Sequence, residues 1–192
     1  PRDVSGETVV VMGQGSAGVF WAYMLKKAGA EQVIVSDLSD TRLAVAKSYG
    51  ADTCINADNG SLYGVVGDLT AGAGADYLVE AVGRAETFRE SVDHVRIDGQ
   101  IMWFGLPSVD QDIDMRFHKF FRKRLRAAST YGAQDEVDAV SFREALELIS
   151  SGAIDVAPLL SHVFPVELID EAMHLAHEPH ADDALKVSID FR

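Results

Sequence analysis

"TVVVMGQGSAGVFWAYMLKKAG", residues 8–29, begins as an unbroken apolar run, breaks into glycines, and resumes at helical spacing. A short apolar run without polar alternation reads as a strand buried on both faces, the kind a parallel sheet requires. Gly13, Gly15 and Gly18 fit the spacing G-x-G-x-x-G. In such a turn the first glycine permits the tight exit from the strand, the second lets a pyrophosphate approach the backbone, and the third lets the helix pack closely on the sheet. The free N–H groups at the helix start, around Ser16 and Ala17, would then face phosphates with the positive end of the helix dipole behind them.

Outward from this stretch, the next apolar run, 32–36, is followed by Asp37, 19 residues past Gly18. A carboxylate there accepts both hydroxyls of an adenosine ribose and repels a 2′-phosphate, which predicts NAD in preference to NADP. Further strands are predicted at 53–56, 77–81, 100–104 and 125–129, and the clearest helices at 17–28, 41–49, 85–95 and 142–151, with Gly50 and Gly152 as C-caps. Short apolar runs alternating with helical stretches predict β-α-β units, hence an α/β fold with a doubly wound, six-stranded parallel sheet. Near Asp155 the pattern changes, and a last helix (165–177) and a terminal strand (185–191) form a tail. The predicted division is a dinucleotide-binding domain over 1–154 and a separate C-terminal segment over 155–192.

Composition narrows the partners. The chain has 192 residues, 47% of them hydrophobic, enough for the core of one domain with a small appendage. Seventeen Lys and Arg against 30 Asp and Glu give a formal charge of −13, which repels phosphate backbones and anionic lipid surfaces, so nucleic acid and membrane are not expected partners. The apolar runs fall far short of the roughly 20 residues that span a bilayer. The opening Pro1-Arg2-Asp3-Val4-Ser5 lacks the charged start and apolar block of a secretory signal. A single cysteine, Cys54, excludes an internal disulfide framework and a multi-cysteine zinc site within these residues. A reducing, cytoplasmic setting is expected.

Other candidate chemistry is weak. His174, His177 and His180 recur every third position near Glu171 and Glu178, but Pro179 interrupts the helix and no cysteine or recessed acid completes a tetrahedral set, so no metal site is expected. His118, His94 and His162 read as helix or packing residues, and Phe117, Phe120 and Phe121 as core or interface. Cys54 lies in a predicted buried strand, where a packed thiol is expected. No G-x-S-x-G elbow occurs.

Six stretches in order, "VVVMGQGSAG", "VIVSDLSDTRLAVAKSYGAD", "GADYLVEAVGR", "GQIMWFGLP", "RLRAASTYG" and "LLSHVFPVELIDEAMHLA" with "ALKVSI", resemble the medium-chain dehydrogenase/reductase family of the zinc-type alcohol and polyol dehydrogenases. The resemblance runs over nearly the whole chain and implies the Rossmann form of the fold. It implies that Leu38, beside Asp37, and Arg42 lie near the adenosine ribose and phosphate. Val82, Gly83 and Arg84 would stand at the carboxyl edge of the fourth strand, with Arg84 able to stack on adenine. Phe104, Gly105 and Leu106 would meet the nicotinamide end, Ser129 and Tyr131 would bind the carboxamide through their backbone, and Lys186 would reach the pyrophosphate.

The resemblance also implies hydride transfer between nicotinamide and an alcohol or carbonyl, with zinc held by a GroES-like N-terminal domain for which this chain has no counterpart. On that expectation the chain is the C-terminal, cofactor-binding portion of an NAD-dependent dehydrogenase, inactive alone, with no catalytic residue of its own. The tail over 155–192 would return to the absent domain. A homodimer joined through the last sheet strand, 125–131, is expected, because an unpaired edge is a liability. Two other readings stay open: a stand-alone NAD-sensing regulatory module, and a zinc-free quinone or enoyl reductase, whose usual NADPH preference Asp37 opposes.

Overall fold

The computed structural model describes residues 3–110, 112–130, 136–177 and 183–192. By packing they divide into two compact units, Pro1–Ser129 and Thr130–Arg192. The division falls after Ser129, so the helix expected at 142–151 groups with the second unit.

In the first unit, strands and helices alternate as β1 (Thr8–Met12), α1 (Ser16–Lys27), β2 (Gln32–Asp37), α2 (Asp40–Ser48), β3 (Thr53–Asn56), α3 (Leu62–Leu69), β4 (Ala75–Glu80), α4 (Ala85–His94), β5 (Val95–Trp103), α5 (Phe117–Arg122) and β6 (Arg126–Ser129). The six strands form one parallel sheet in the order β3-β2-β1-β4-β5-β6. This is the doubly wound α/β sheet that the sequence predicts. Val9, Val10 and Val11 of β1 are wholly buried, paired with Val33, Ile34 and Val35 on one side, while β4 flanks the other. Helices cover both faces of such a sheet, which is why its central strands carry no polar alternation. The core gathers Val10, Ile34, Leu78 and Ile101 from the strands with Val66 and Val92 from the helices.

Three of the departures from expectation have particular physical reasons. β5 begins at Val95, because the polar stretch "VRIDG" extends after all: Arg96 Nε donates to Asp76 at 2.6 Å, and Asp98 takes the left-handed φ of 62°. α3 contains Gly64 and Gly67, which lower helix propensity, yet Ser61 caps it by accepting the Gly64 N–H at 3.1 Å. β4 starts at Ala75, ahead of a register irregularity between Ala75 and Tyr77.

The second unit holds α6 (Val140–Ser150), β7 (His162–Pro165), α7 (Ile169–His177) and β8 (Val187–Asp190). β7 and β8 pair in parallel, His162 with Val187 and Phe164 with Ile189, and α7 connects them. The strand at 162–165 was not expected, since four residues ending in proline carry little strand signal. Ser161 ties the pair together: its hydroxyl accepts the N–H groups of Leu185 at 2.9 Å and Lys186 at 3.1 Å.

Candidate functional site

The strand order reverses direction of growth between β1 and β4, and open α/β sheets bind ligands at the carboxyl ends of strands flanking such a point. The glycine turn sits there. Gly13 leaves β1 with φ 85°, and its N–H donates to Ser36 O of β2 at 2.8 Å. A Cβ on Gly18 would lie 1.8 Å from Gly13 O, so only glycine lets α1 pack this close to the turn. At Gly15, by contrast, an added Cβ meets nothing within 4 Å. The turn is thus closed against the sheet at Gly18 and open at Gly15. Gly15 is the N-cap of α1 and provides no side-chain hydrogen bond, so the first N–H groups of that helix, at Ser16 and Ala17, have no side-chain cap.

Asp37 ends β2 beside this turn and is only partly buried. Its Oδ2 accepts the Gln14 N–H at 2.6 Å and its Oδ1 accepts the Ser39 N–H at 3.0 Å. A carboxylate has about four lone-pair sites, so both oxygens keep capacity for further donors. Asp37 therefore also clamps the glycine turn to the exit of β2, a structural task the spacing did not reveal. Leu38 is 39% exposed beside it, and Arg42, expected near the ribose, is 9% exposed on α2, not a solvent-facing helix arginine.

The β4 and β5 exits form the other rim. Gly83 has φ 83°, and a Cβ on it would stand 2.6 Å from Leu106 O, while one on Gly105 would stand 2.3 Å from Gly83 N. Gly83 thus packs backbone against backbone with Gly105 and Leu106. Val82, Arg84 and Leu106 are exposed. A Cβ on Gly13 would meet Val82 Cγ2 at 2.7 Å, so the β4 exit also abuts the glycine turn. Two residues escaped the sequence reading. Gln14 is fully buried, and its Nε2 donates to Val11 O at 3.0 Å and Gly13 O at 2.8 Å, locking the turn. Glu80 is fully buried beneath the β4 exit; an acid closing an apolar strand three residues before a glycine was its only sequence signal.

Other candidates fall elsewhere. Ser129 is exposed at the end of β6, the sheet edge, and Tyr131 lies outside the described residues, as do Glu178, Pro179 and His180. Lys186 is exposed in the second unit, where its carbonyl accepts the His162 N–H at 3.2 Å. Cys54 is half-buried, with its thiol 3.6 Å from Leu43 O, and burial pushes that thiol up against the opposing pull of Lys47. His94 is buried at the end of α4, and burial holds it down at about 4. Phe120 packs against the core, whereas Phe117 and Phe121 are exposed. Among the described residues no three His, Cys, Asp or Glu side chains group as a metal site, and no helix is long and apolar enough to cross a membrane.

Comparison with known proteins fits this geometry. Residues 17–151 match the family model described as zinc-binding dehydrogenase. The chain is 32% identical over 165 residues to L-threonine 3-dehydrogenase of Cronobacter sakazakii, covering 86% of this chain and 47% of that protein. It is 33% identical over 165 residues to the protein of the same name from Salmonella typhi, with the same coverage. Among solved structures, alcohol dehydrogenase from Thermus sp. ATN1 superimposes with a TM-score of 0.83 at 25% identity, covering 98% of this chain and 52% of that one. L-idonate 5-dehydrogenase from Escherichia coli shares the fold, with a TM-score of 0.82 at 22% identity over 98% of this chain and 51% of that one. The chain spans about half the length of the curated relatives it matches. With most of the chain under the family model, and the sheet order and glycine turn already in place, the chain belongs to the zinc-binding dehydrogenases of the medium-chain dehydrogenase/reductase family.

Proposed function

We propose that this chain is the NAD(H)-binding part of a longer oxidoreductase, positioning nicotinamide for hydride transfer with a small alcohol or carbonyl substrate. The observation that carries this reading is the contrast at the glycine turn: Gly18 is sealed against Gly13 O, while the space over Gly15 is open in front of the uncapped start of α1. A pyrophosphate fits that cradle, since helix N-termini offer free N–H donors and a favourable dipole. Bound there, NAD supplies a hydride acceptor. Asp37 would take the ribose hydroxyls, with Leu38 and Arg42 beside it. Val82 and Gly83, then Phe104, Gly105 and Leu106, would line the path toward nicotinamide, with Arg84 stacked on adenine and Ser129, Tyr131 and Lys186 as further contacts. Preference for NAD over NADP rests on the Asp37 carboxylate, which would repel a 2′-phosphate.

Zinc finds no ligand set among the described residues, so we assign it, with the substrate pocket, to a further domain of the longer protein. The segment 155–192 supports that assignment: the β7–β8 sheet has two strands of four residues, fewer than an independently stable sheet needs. Its role would be to complete the other domain. A family match covering residues 17–151 does not favour a stand-alone sensing module. A cytoplasmic, homodimeric enzyme is the accompanying proposal.

The test is Gly15→Ala, followed by NADH titration and thermal melting. Gly15 has φ −65° and no neighbour within 4 Å of an added Cβ, so the melting temperature should stay put. NADH affinity should fall by about tenfold or more, because the methyl occupies the place where the phosphates approach. Unchanged affinity in a folded variant would remove the glycine turn from the cofactor site.

A further inference from the structure

Glu80 closes β4 at the centre of the sheet, opposite Met12 of β1 on one side and Trp103 of β5 on the other. It is fully buried. A buried acid in a strand otherwise reading "ADYLV" is costly to keep unless its hydrogen bonds do something that an apolar residue cannot. Its Oε1 accepts three of them: the N–H groups of Val82 and Gly83, each at 2.9 Å, and the Thr87 hydroxyl at 2.7 Å. Its backbone carbonyl accepts two more, from the N–H groups of Phe104 and Gly105, each at 2.9 Å. One residue thus holds the β4 exit, the start of α4 and the β5 exit together.

The fit leaves no slack. Oε2 lies in the space that Gly105 vacates, 2.6 Å from where a Cβ on Gly105 would stand. Gly83, in a left-handed turn at φ 83°, lies against Gly105 and Leu106 with no room for a side chain. A turn so bare of side chains is kept in shape by what grips its N–H groups, and two adjacent N–H groups converging on one carboxylate oxygen make a strong grip.

We infer that Glu80 is a positioning residue for the cofactor crevice, holding the Val82–Gly83 turn against Phe104–Leu106 so that the nicotinamide half of the dinucleotide meets a preformed wall. The inference rests on the proposal that this crevice binds NAD(H). It places the larger effect of Glu80 on the nicotinamide half, because its contacts extend past the β4 exit, which also borders the glycine turn, to the β5 exit.

The experiment compares NADH with ADP-ribose, which lacks the nicotinamide ring, in the 192-residue chain and in Glu80→Gln. The variant keeps the volume and one acceptor oxygen but loses the charge and places an amide against Gly105. NADH affinity should fall about tenfold while ADP-ribose affinity stays within about twofold. Equal losses for both ligands, or no loss for either, would overturn the inference, because a general loosening of the fold cannot change their ratio. Thr87→Val and Thr87→Ser give the same answer should Glu80→Gln not fold. Valine removes one donor to Oε1 and should weaken NADH severalfold but not ADP-ribose, and serine should restore it; equal behaviour of the two variants overturns the inference. A wild-type chain that binds ADP-ribose and NADH equally well sinks only the role of Glu80 and its wall. A wild-type chain that binds neither sinks the cofactor reading, and this inference with it.

Discussion

At the scale of single residues, Asp37 serves the fold and, on the proposed reading, the ligand. The spacing from the glycine turn marked it as a ribose acceptor, and the geometry adds that its two oxygens already bind Gln14 N–H and Ser39 N–H. Replacing Asp37 with Ala should weaken NADH binding, narrow the gap between NADH and NADPH, and lower stability by about 2 kcal/mol through the two orphaned N–H groups. Parallel titrations of the two cofactors with a denaturant melt check this, and unchanged affinity for both would remove Asp37 from the site. Gly13 and Gly18 were legible because backbone geometry leaves glycine as the only choice at a positive φ or a close approach, and such choices show in a sequence; Gly15 was legible only through its spacing between them. Glu80 and Gln14 were not, because all but one of the partners described for their side chains are backbone groups brought near by the turns, and backbone groups carry no letter.

At the scale of elements, the strands buried on both faces were the easiest to read. β1 falls where the apolar run places it, since a run of Val between turn signals has few other uses. The harder cases were elements whose stability comes from particular contacts: α3 through its Ser61 cap, the start of β5 through Arg96 and Asp76, and β7 through its pairing with β8. Edge β6 leads to a prediction of its own. Arg126, Ala127, Ala128 and Ser129 are all exposed, and β6 ends the sheet, so a second copy can extend it edge to edge. Sedimentation at micromolar concentration should give about twice 20.8 kDa. Ala128→Lys, which sets like charges against each other across a two-fold axis, should return the chain to monomer without loss of fold. A wild-type mass of 20.8 kDa would contradict the dimer.

For the whole molecule, the fold was more legible than the site. The alternation of strand and helix fixes a doubly wound parallel sheet almost by itself, because crossovers are right-handed and every strand must be covered. What the sheet holds depends on loops from distant parts of the chain meeting at one edge, and no local pattern states which loops meet. Here the β1, β2, β4 and β5 exits meet at one edge of the sheet, with Gly13 packed against Val82 and Gly83 against Leu106. The central claim is that a dinucleotide lies along that edge. Its most direct test is backbone amide NMR of the chain titrated with NADH. The account predicts that the large shifts fall on Gly13 to Ala17, Asp37 to Ser39, Val82 to Arg84 and Phe104 to Leu106. Shifts gathered instead at the shallow depression lined by Asp40, Leu43, Lys47 and Cys54, or no shifts at saturating NADH, would contradict it.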